Sequence, residues 1–393
     1  MSTLMERLEH QIQAAGGWIG ADAFMHTALY WPGQGYYTGG GRPFEADFVT
    51  APMLGPWMGQ ALWNCTRGLR TAAVFRIREF GGGRGDLAAS LMACAQREQA
   101  QSPSAAAMSP ILEMQMLEVS ADLAHQQERT TAGLGSIYWL RQLEPDFSGL
   151  VLANEVLDAM PVKLFEWAGD GAVLEWGIEV VNQRLAWRAR PASEDLATVV
   201  TTRARAARER GLPWSSGYRG EWCPWTGPWL NSLAQSIRSG AVLLVDYGFA
   251  ESELDHPGRT HGTLCAHYRH QRFDRPEDLI VRVGEQDLTA HVNFSQIARE
   301  ARQSGFEVRG FVTQGRFLMN AGLLEFAQTV IDATPDPIAK ARRLQSLQTM
   351  MLESEMGEVF KVMLLIKDLP PSQVEALMDC GFQLSDRSAS LAN

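Results

Sequence analysis

The stretch VFRIREFGGGRGDLAASLMA, residues 74–93, decides how the chain folds. An apolar run reaches Glu79, glycines follow at 81, 82, 83 and 85, and a helical pattern begins at once. A strand, a tight turn and a helix in immediate succession open a β-α unit of an α/β protein. Glycines at such a turn let a ligand approach the backbone. The dinucleotide fingerprint G-x-G-x-x-G/A fails when started at Gly81, because Asp86 stands where a small residue is needed. Started at Gly83 it fits, through Gly85 to Ala88. A pyrophosphate there would rest on the helix N-terminus. Asp86 suits the helix dipole but repels phosphate, and no cation beyond Arg84 offsets it.

A second frame reads acidic-x-Gly-x-Gly-x-Gly, with Glu79, Gly81, Gly83 and Gly85 all in place. This is the pattern of class I S-adenosylmethionine methyltransferases. Their cofactor has no phosphate, carries an ammonium at its amino acid end and has a cationic sulfur, so a carboxylate at the strand end helps. Glu118 ends the next apolar run, ILEMQMLEVS at 111–120, where an acid can take both ribose hydroxyls, one oxygen each. It comes later than the usual ~20 residues after the glycines, and the low-complexity excursion at 99–110 accounts for the delay. The glycines alone leave three readings open: this cofactor, a dinucleotide, or a structural turn.

Further out, strands alternate with helices, which means a mostly parallel sheet. SGLVLANEVLDAMPV at 148–162 and GAVLLVDYGFA at 240–250 are buried strands with polar ends. Ligands of such sheets sit beyond the carboxyl ends of the strands. Glu79 with the glycines, Asn154 with Glu155, and Asp246 with Tyr247 should therefore face one crevice. For Asp246 and Tyr247 a cap on the strand end is an equal alternative to a place on the substrate side. We divide the chain into N-terminal helices and a cofactor-side loop (1–70), a Rossmann-like core (71–190), a helical, Trp-rich insertion (191–240), the rest of the core with a substrate-side region at 250–295 (241–381), and a loose tail (382–393). Residues 162–190 alternate with period two, as antiparallel strands do. The tryptophans of 214–229 read as packing under a long loop rather than as a substrate lid. The loop WPGQGYYTGGGRPFEADFVTAP, 31–52, is too long and aromatic for a plain connector, and long loops of this kind are often binding loops.

The formal charge of -10 argues against nucleic acid as a partner. Five scattered cysteines with no CxxC pair fit a reducing compartment without a structural zinc. No apolar run approaches the roughly 18 residues of a membrane helix, and no targeting segment stands at the N-terminus. We expect a cytoplasmic chain with no membrane partner, and an oligomer is compatible. His267 and His270 are three apart, with Asp287 and His291 downstream, which tempts a metal reading. No ligand set with metal spacing accompanies them and methyl transfer needs none, so His267 and His291 are expected to shape the substrate crevice.

GQGYYTGG, DFVTAP, EFGGGRGDLA, ANEVLDAMPV, LLVDYG, HPGRTHGTLCAHYRH, DLTAHVNF and MGEVFKVM occur in order from residue 33 to 363. Together they closely resemble the MidA family of S-adenosylmethionine-dependent class I methyltransferases. The likeness covers nearly the whole chain. It implies a Rossmann-like α/β fold and S-adenosyl-L-methionine as cofactor. Mitochondrial members look like protein arginine methyltransferases acting on a respiratory complex I subunit during its assembly, so the resemblance implies a protein substrate. It places Glu79, Gly81, Gly83 and Gly85 in the glycine motif, Glu118 as the ribose acid, and Asp47 to Pro52, including Thr50, in a cofactor-side loop. Asn154, Glu155, Asp158 and Pro161 match the family's NE-x-x-D-x-x-P. Ala46 replaces the usual glycine before DFVTAP, and Gly82 or Arg84 stands where a serine is common.

If the acceptor is arginine, its guanidinium cannot be deprotonated in advance. Carboxylates can grip it in bidentate fashion and take the proton as the bond forms. Glu155 is the first candidate, Asp158 the second, with Asn154 placed for the cofactor's ammonium. As alternatives, both acids belong to an ordinary helix first turn, the acceptor is a small molecule, or the chain is a non-catalytic assembly or binding protein.

Overall fold

The apolar run before the glycines is the central strand of a sheet, β1 (Val74–Phe80). With it lie β2 (Ile111–Leu117), β3 (Ser136–Leu140), β4 (Phe147–Asn154), β5 (Ile237–Phe249), β6 (Glu307–Thr313) and β7 (Phe360–Lys367). The computed structural model describes residues 3–39, 46–101, 110–169 and 171–391. Residues 102–109 of the low-complexity excursion and residues 40–45 of the aromatic loop lie outside the described residues.

The sheet runs β3-β2-β1-β4-β5-β7-β6. Every neighbouring pair from β3 to β5 is parallel, whereas β7 runs antiparallel to both β5 and β6. A short strand, Val292–Asn293, adds to the end of β5. The class I methyltransferase architecture expected above is therefore present. Both faces of the middle strands are buried, as parallel sheets require. Leu150 and Leu152 of β4 pack on the side of Trp57, Leu62 and Leu91, while Val151 and Ala153 pack with Leu230, Leu233 and Ile297.

A second sheet redraws one boundary. The strands at 163–191 do not extend the core, which was expected to run to residue 190. Lys163–Trp167, Val173–Val181, Arg184–Pro191 and Tyr218–Trp222 form an antiparallel sheet with Ile19–Gly20. Period two was legible, but alternation does not say which sheet a strand joins. A third, three-stranded sheet holds Cys265–Tyr268, Gln271–Phe273 and Asp287–Thr289.

The tail, expected to be loose, is anchored as far as residue 391. Phe311 of the edge strand β6 donates its N–H to Asp386 Oδ1 at 2.9 Å and accepts from Arg387 N at 2.7 Å. Leu391 is buried. The edge strand has unpaired backbone groups to satisfy, and the tail satisfies them. No helix among the described residues is long and apolar enough to cross a membrane.

Candidate active site

The turn after β1 has the backbone its glycines permit. Gly81 and Gly83 stand at φ 57° and 52°, the left-handed region that side chains disfavour. Gly81 N donates to Leu117 O at 3.0 Å, holding the turn against the end of β2. The helix α1 (Asp86–Gln101) starts at once, with Asp86 in its first turn paired to Arg84 at 3.0 Å.

A cavity of about 1270 Å³ opens over the carboxyl ends of β1, β2, β4 and β5. Glu79, Gly81, Gly83, Glu118, Asn154, Glu155, Asp158, Tyr247, Thr50, Pro52, His267 and His291 all line it. Two expected members are not on its wall. Gly85, at φ 90°, packs on Gln127, whose Cα a Cβ would approach to 3.2 Å. Asp246 is fully buried and caps backbone instead. It accepts from Leu157 N at 2.9 Å, Asp158 N at 3.3 Å and Tyr247 N at 2.8 Å. Its side chain serves the turn that carries Asp158, which is the strand-end alternative weighed above.

At the glycine end, Glu118 accepts from Ser120 N and from the Gln127 amide, both at 2.9 Å. Gln127 also donates to Gly83 O at 3.0 Å. It sits on the helix Ala121–Thr130, whose N-cap is Ser120. This fully buried glutamine ties the acid to the glycine turn, and nothing in the sequence pattern marks it. Glu79 is buried with Oε2 lacking a hydrogen-bond partner, and burial, with Glu118 and Asp86 nearby, pushes its carboxyl up to about 8. Asn154 Oδ1 is likewise buried without a partner. Two orphaned acceptors on one wall match the ammonium of an amino acid, and Glu118 retains lone pairs for a diol. The residues present therefore fit S-adenosylmethionine, whose ribose and amino acid ends ask for those groups.

The other end gathers acids and aromatics from distant segments. Glu155 has φ 53°, and its N–H donates to Val245 O at 2.9 Å, so the β4–β5 junction holds a strained residue in place. Its Oε1 accepts from Asn154 Nδ2 at 3.1 Å. Burial, then the Asp158 charge, pushes Glu155 up to about 8. Asp158 is also raised by burial, against a hydrogen bond from Tyr247, and its Oδ1 has no partner. Asp287, considered above only beside His291, lines the cavity and is pushed up to about 8 by burial and Asp158. Tyr37 OH donates to it at 2.9 Å, and Tyr30 stacks on Tyr37 at 5.6 Å. Tyr37 was legible only as a member of the aromatic loop, and Tyr30 only as the end of the helix before it, Ala21–Tyr30.

His267 is lowered by burial, and His291 is lowered by burial to about 4. Both are neutral near pH 7. Asp47 bolts the loop to the hairpin turn beyond His267, accepting from Arg269 N at 2.6 Å. The tryptophans divide. Trp214 is packing, stacked on Tyr218 at 4.3 Å, but Trp225 and Trp229 line the cavity.

Residues 54–312 match the family model of S-adenosyl-L-methionine-dependent methyltransferases, well over half of the chain. The chain belongs to this family. A solved structure from Burkholderia thailandensis, bound to S-adenosyl-homocysteine, is 31% identical, with a TM-score of 0.81 over 98% of this chain and 96% of that one. Protein arginine methyltransferase NDUFAF7, mitochondrial, from Mus musculus is 27% identical over 386 residues, spanning 92% of this chain and 83% of that protein. Its Homo sapiens counterpart is 26% identical over 396 residues, spanning 93% and 84%. This methyltransferase uses S-adenosylmethionine as its cofactor.

Proposed function

We propose that this methyltransferase modifies arginine side chains of a protein. One observation carries the reading: beyond Glu79, the cavity ends in buried carboxylates, and Asp158 presents an oxygen with no partner of its own. Buried carboxylates are costly unless a cation meets them. The relatives named as protein arginine methyltransferases support the same reading. The family resemblance extends it to a respiratory complex I subunit as the substrate.

At the other wall, Glu79 and Asn154 would take the cofactor's ammonium, Glu118 its ribose, with Gly81 and Gly83 admitting it to the backbone and Thr50 and Pro52 covering it. Bound there, S-adenosylmethionine supplies an electrophilic methyl group. The protein must align a guanidinium nitrogen and receive the proton it sheds. Glu155 was the first candidate for that base. Hydrogen bonding supports Asp158 in that place instead: Asn154 Nδ2 and the Ala51 N–H occupy Glu155, whereas Asp158, held by Tyr247 and the Ala159 N–H, keeps Oδ1 without a partner. Asp158 accepts the proton, Glu155, held by those bonds, sets a second carboxyl beside it, and Tyr247 steadies Asp158. His267, His291 and Tyr247 shape the acceptor wall.

Quantitative mass spectrometry of methylated arginine in cells carrying wild type or Glu155→Gln tests this. Peptides whose methylation disappears with the variant are expected. An unchanged pattern sinks the arginine reading and leaves a small-molecule acceptor.

A further inference from the structure

We propose that Asp158 and Asp287 form a two-jawed site for a planar, guanidinium-type cation, with Tyr37 as the positioning residue that sets Asp287. This rests on the arginine reading above and names the residues that would enforce it.

Glu155, Asp158, Asp246 and Asp287 are gathered within one buried region, and Asp158 is the charge that acts most strongly on the other three. Their hydrogen bonds divide them into two kinds. Asp246 is committed to the N–H groups of Leu157, Asp158 and Tyr247. Glu155 is committed to Asn154 and Ala51. Asp158 Oδ1, on a residue 5% exposed, has no partner. Asp287 concentrates its bonds on Oδ1, which accepts from both Tyr37 OH and Leu288 N at 2.9 Å. The second oxygen of Asp287 is in none of these bonds. Both acids line the cavity, and each has an oxygen outside these bonds, that of Asp158 buried in the wall.

The span between the two jaws is fixed. Ala290 N donates to Asp158 O at 3.0 Å and staples the Asp287 strand to the turn that carries Asp158. No three His, Cys, Asp or Glu groups among the described residues stand close enough to share a metal ion. A pair of carboxylates without a third ligand suits a cation whose N–H donors are spread over a plane better than a point charge. The stacked pair Tyr30 and Tyr37 gives that plane an aromatic wall.

The test uses full-length protein in cells whose chromosomal copy is deleted, complemented with wild type, Asp158→Asn, Asp287→Asn or Tyr37→Phe. Two quantities are read: methylated arginine on the peptides that lose it on deletion, and the thermal shift of each purified protein with S-adenosylmethionine. Asp287→Asn should lower methylation about tenfold or more and leave the cofactor shift unchanged. With the peptide so identified as substrate, Tyr37→Phe should raise KM more than it lowers kcat, as a positioning role requires. Wild-type methylation in Asp287→Asn overturns the clamp and leaves the arginine reading standing. Loss of the cofactor shift along with methylation also overturns it, since Asp287 would then serve the fold or the cofactor. Absence of any deletion-dependent arginine methylation removes the arginine reading, and the clamp with it.

Discussion

The two ends of the cavity are built on opposite plans. At the glycine end, polar groups are met by near neighbours in sequence: Glu118 by Ser120 and Gln127, and Arg84 by Asp86. Among the described residues there, Glu79 Oε2 and Asn154 Oδ1 are the buried side-chain atoms left without a partner. At the acceptor end, Asp158, Tyr37 and the pair Asp287 and His291 come from three separate segments, and the carboxylates repel one another. A ligand shared by a whole family can be held by a contiguous motif. A site that must recognise one acceptor is assembled from loops, and it keeps unmet charge until that acceptor arrives.

The largest expected effect separates the two ends outright. Asp158→Asn removes the proposed base while preserving shape, so turnover should fall about 10²–10⁴-fold. Cofactor affinity, read by the stabilisation S-adenosylmethionine gives, should stay near wild type. Equal losses in both quantities would mean that the ends are not independent.

On the other side, Glu79→Gln should weaken the cofactor. A hydrogen bond to a charged group is worth about 1.5–3 kcal/mol, or roughly 10–150-fold in affinity. Calorimetry with S-adenosylhomocysteine measures this directly, and wild-type affinity would remove Glu79 from the site. Gln127→Leu touches no cofactor group in the scheme, yet it frees Glu118 and the Gly83 carbonyl. Loss of two hydrogen bonds worth about 1 kcal/mol each should cost at most about 30-fold in the same titration.

The same contrast explains what the sequence disclosed. Glu79, the glycines and Glu118 were readable because strand, turn and helix are local, and their geometry follows from residue type. The converging ends of β1, β4 and β5 were readable from a rule about parallel sheets. Asp287 was not, because the hydrogen bond that gives it a role comes from Tyr37, 250 residues away. Asp246 stayed undecided between cap and crevice for a related reason. A polar residue at a strand end looks the same whether it faces a ligand or caps a turn, and only the positions of Leu157 N and Asp158 N decide. Gly85 shows the limit of motif matching, since it lies off the cavity wall, at φ 90° and packed on Gln127.

The subtlest prediction uses pH to tell the ends apart. Burial, with the charges of Glu118 and Asp86, raises Glu79 from 4.5 to about 8, and burial, with the charges of Asp158 and Asp47, raises Asp287 from 3.8 to about 8. Between about pH 4 and 8 the folded protein keeps protons that the unfolded chain has released. Each acid therefore contributes stability that is fully present below about pH 4 and is lost as pH rises through its folded value. The slope per acid is at most about 1.4 kcal/mol per pH unit, or about 1.5–2 °C of Tm for a chain of 393 residues. Asp287→Asn and Glu79→Gln should each flatten the Tm curve between about pH 5.5 and 7.5. S-adenosylhomocysteine carries the ammonium that Glu79 would meet but nothing for Asp287. It should therefore flatten the curve of wild type and of Asp287→Asn by the same amount, and that of Glu79→Gln much less. If the ligand instead flattens wild type more than Asp287→Asn, the cofactor reaches into the acceptor end, and the boundary between the two ends lies on the far side of Asp287.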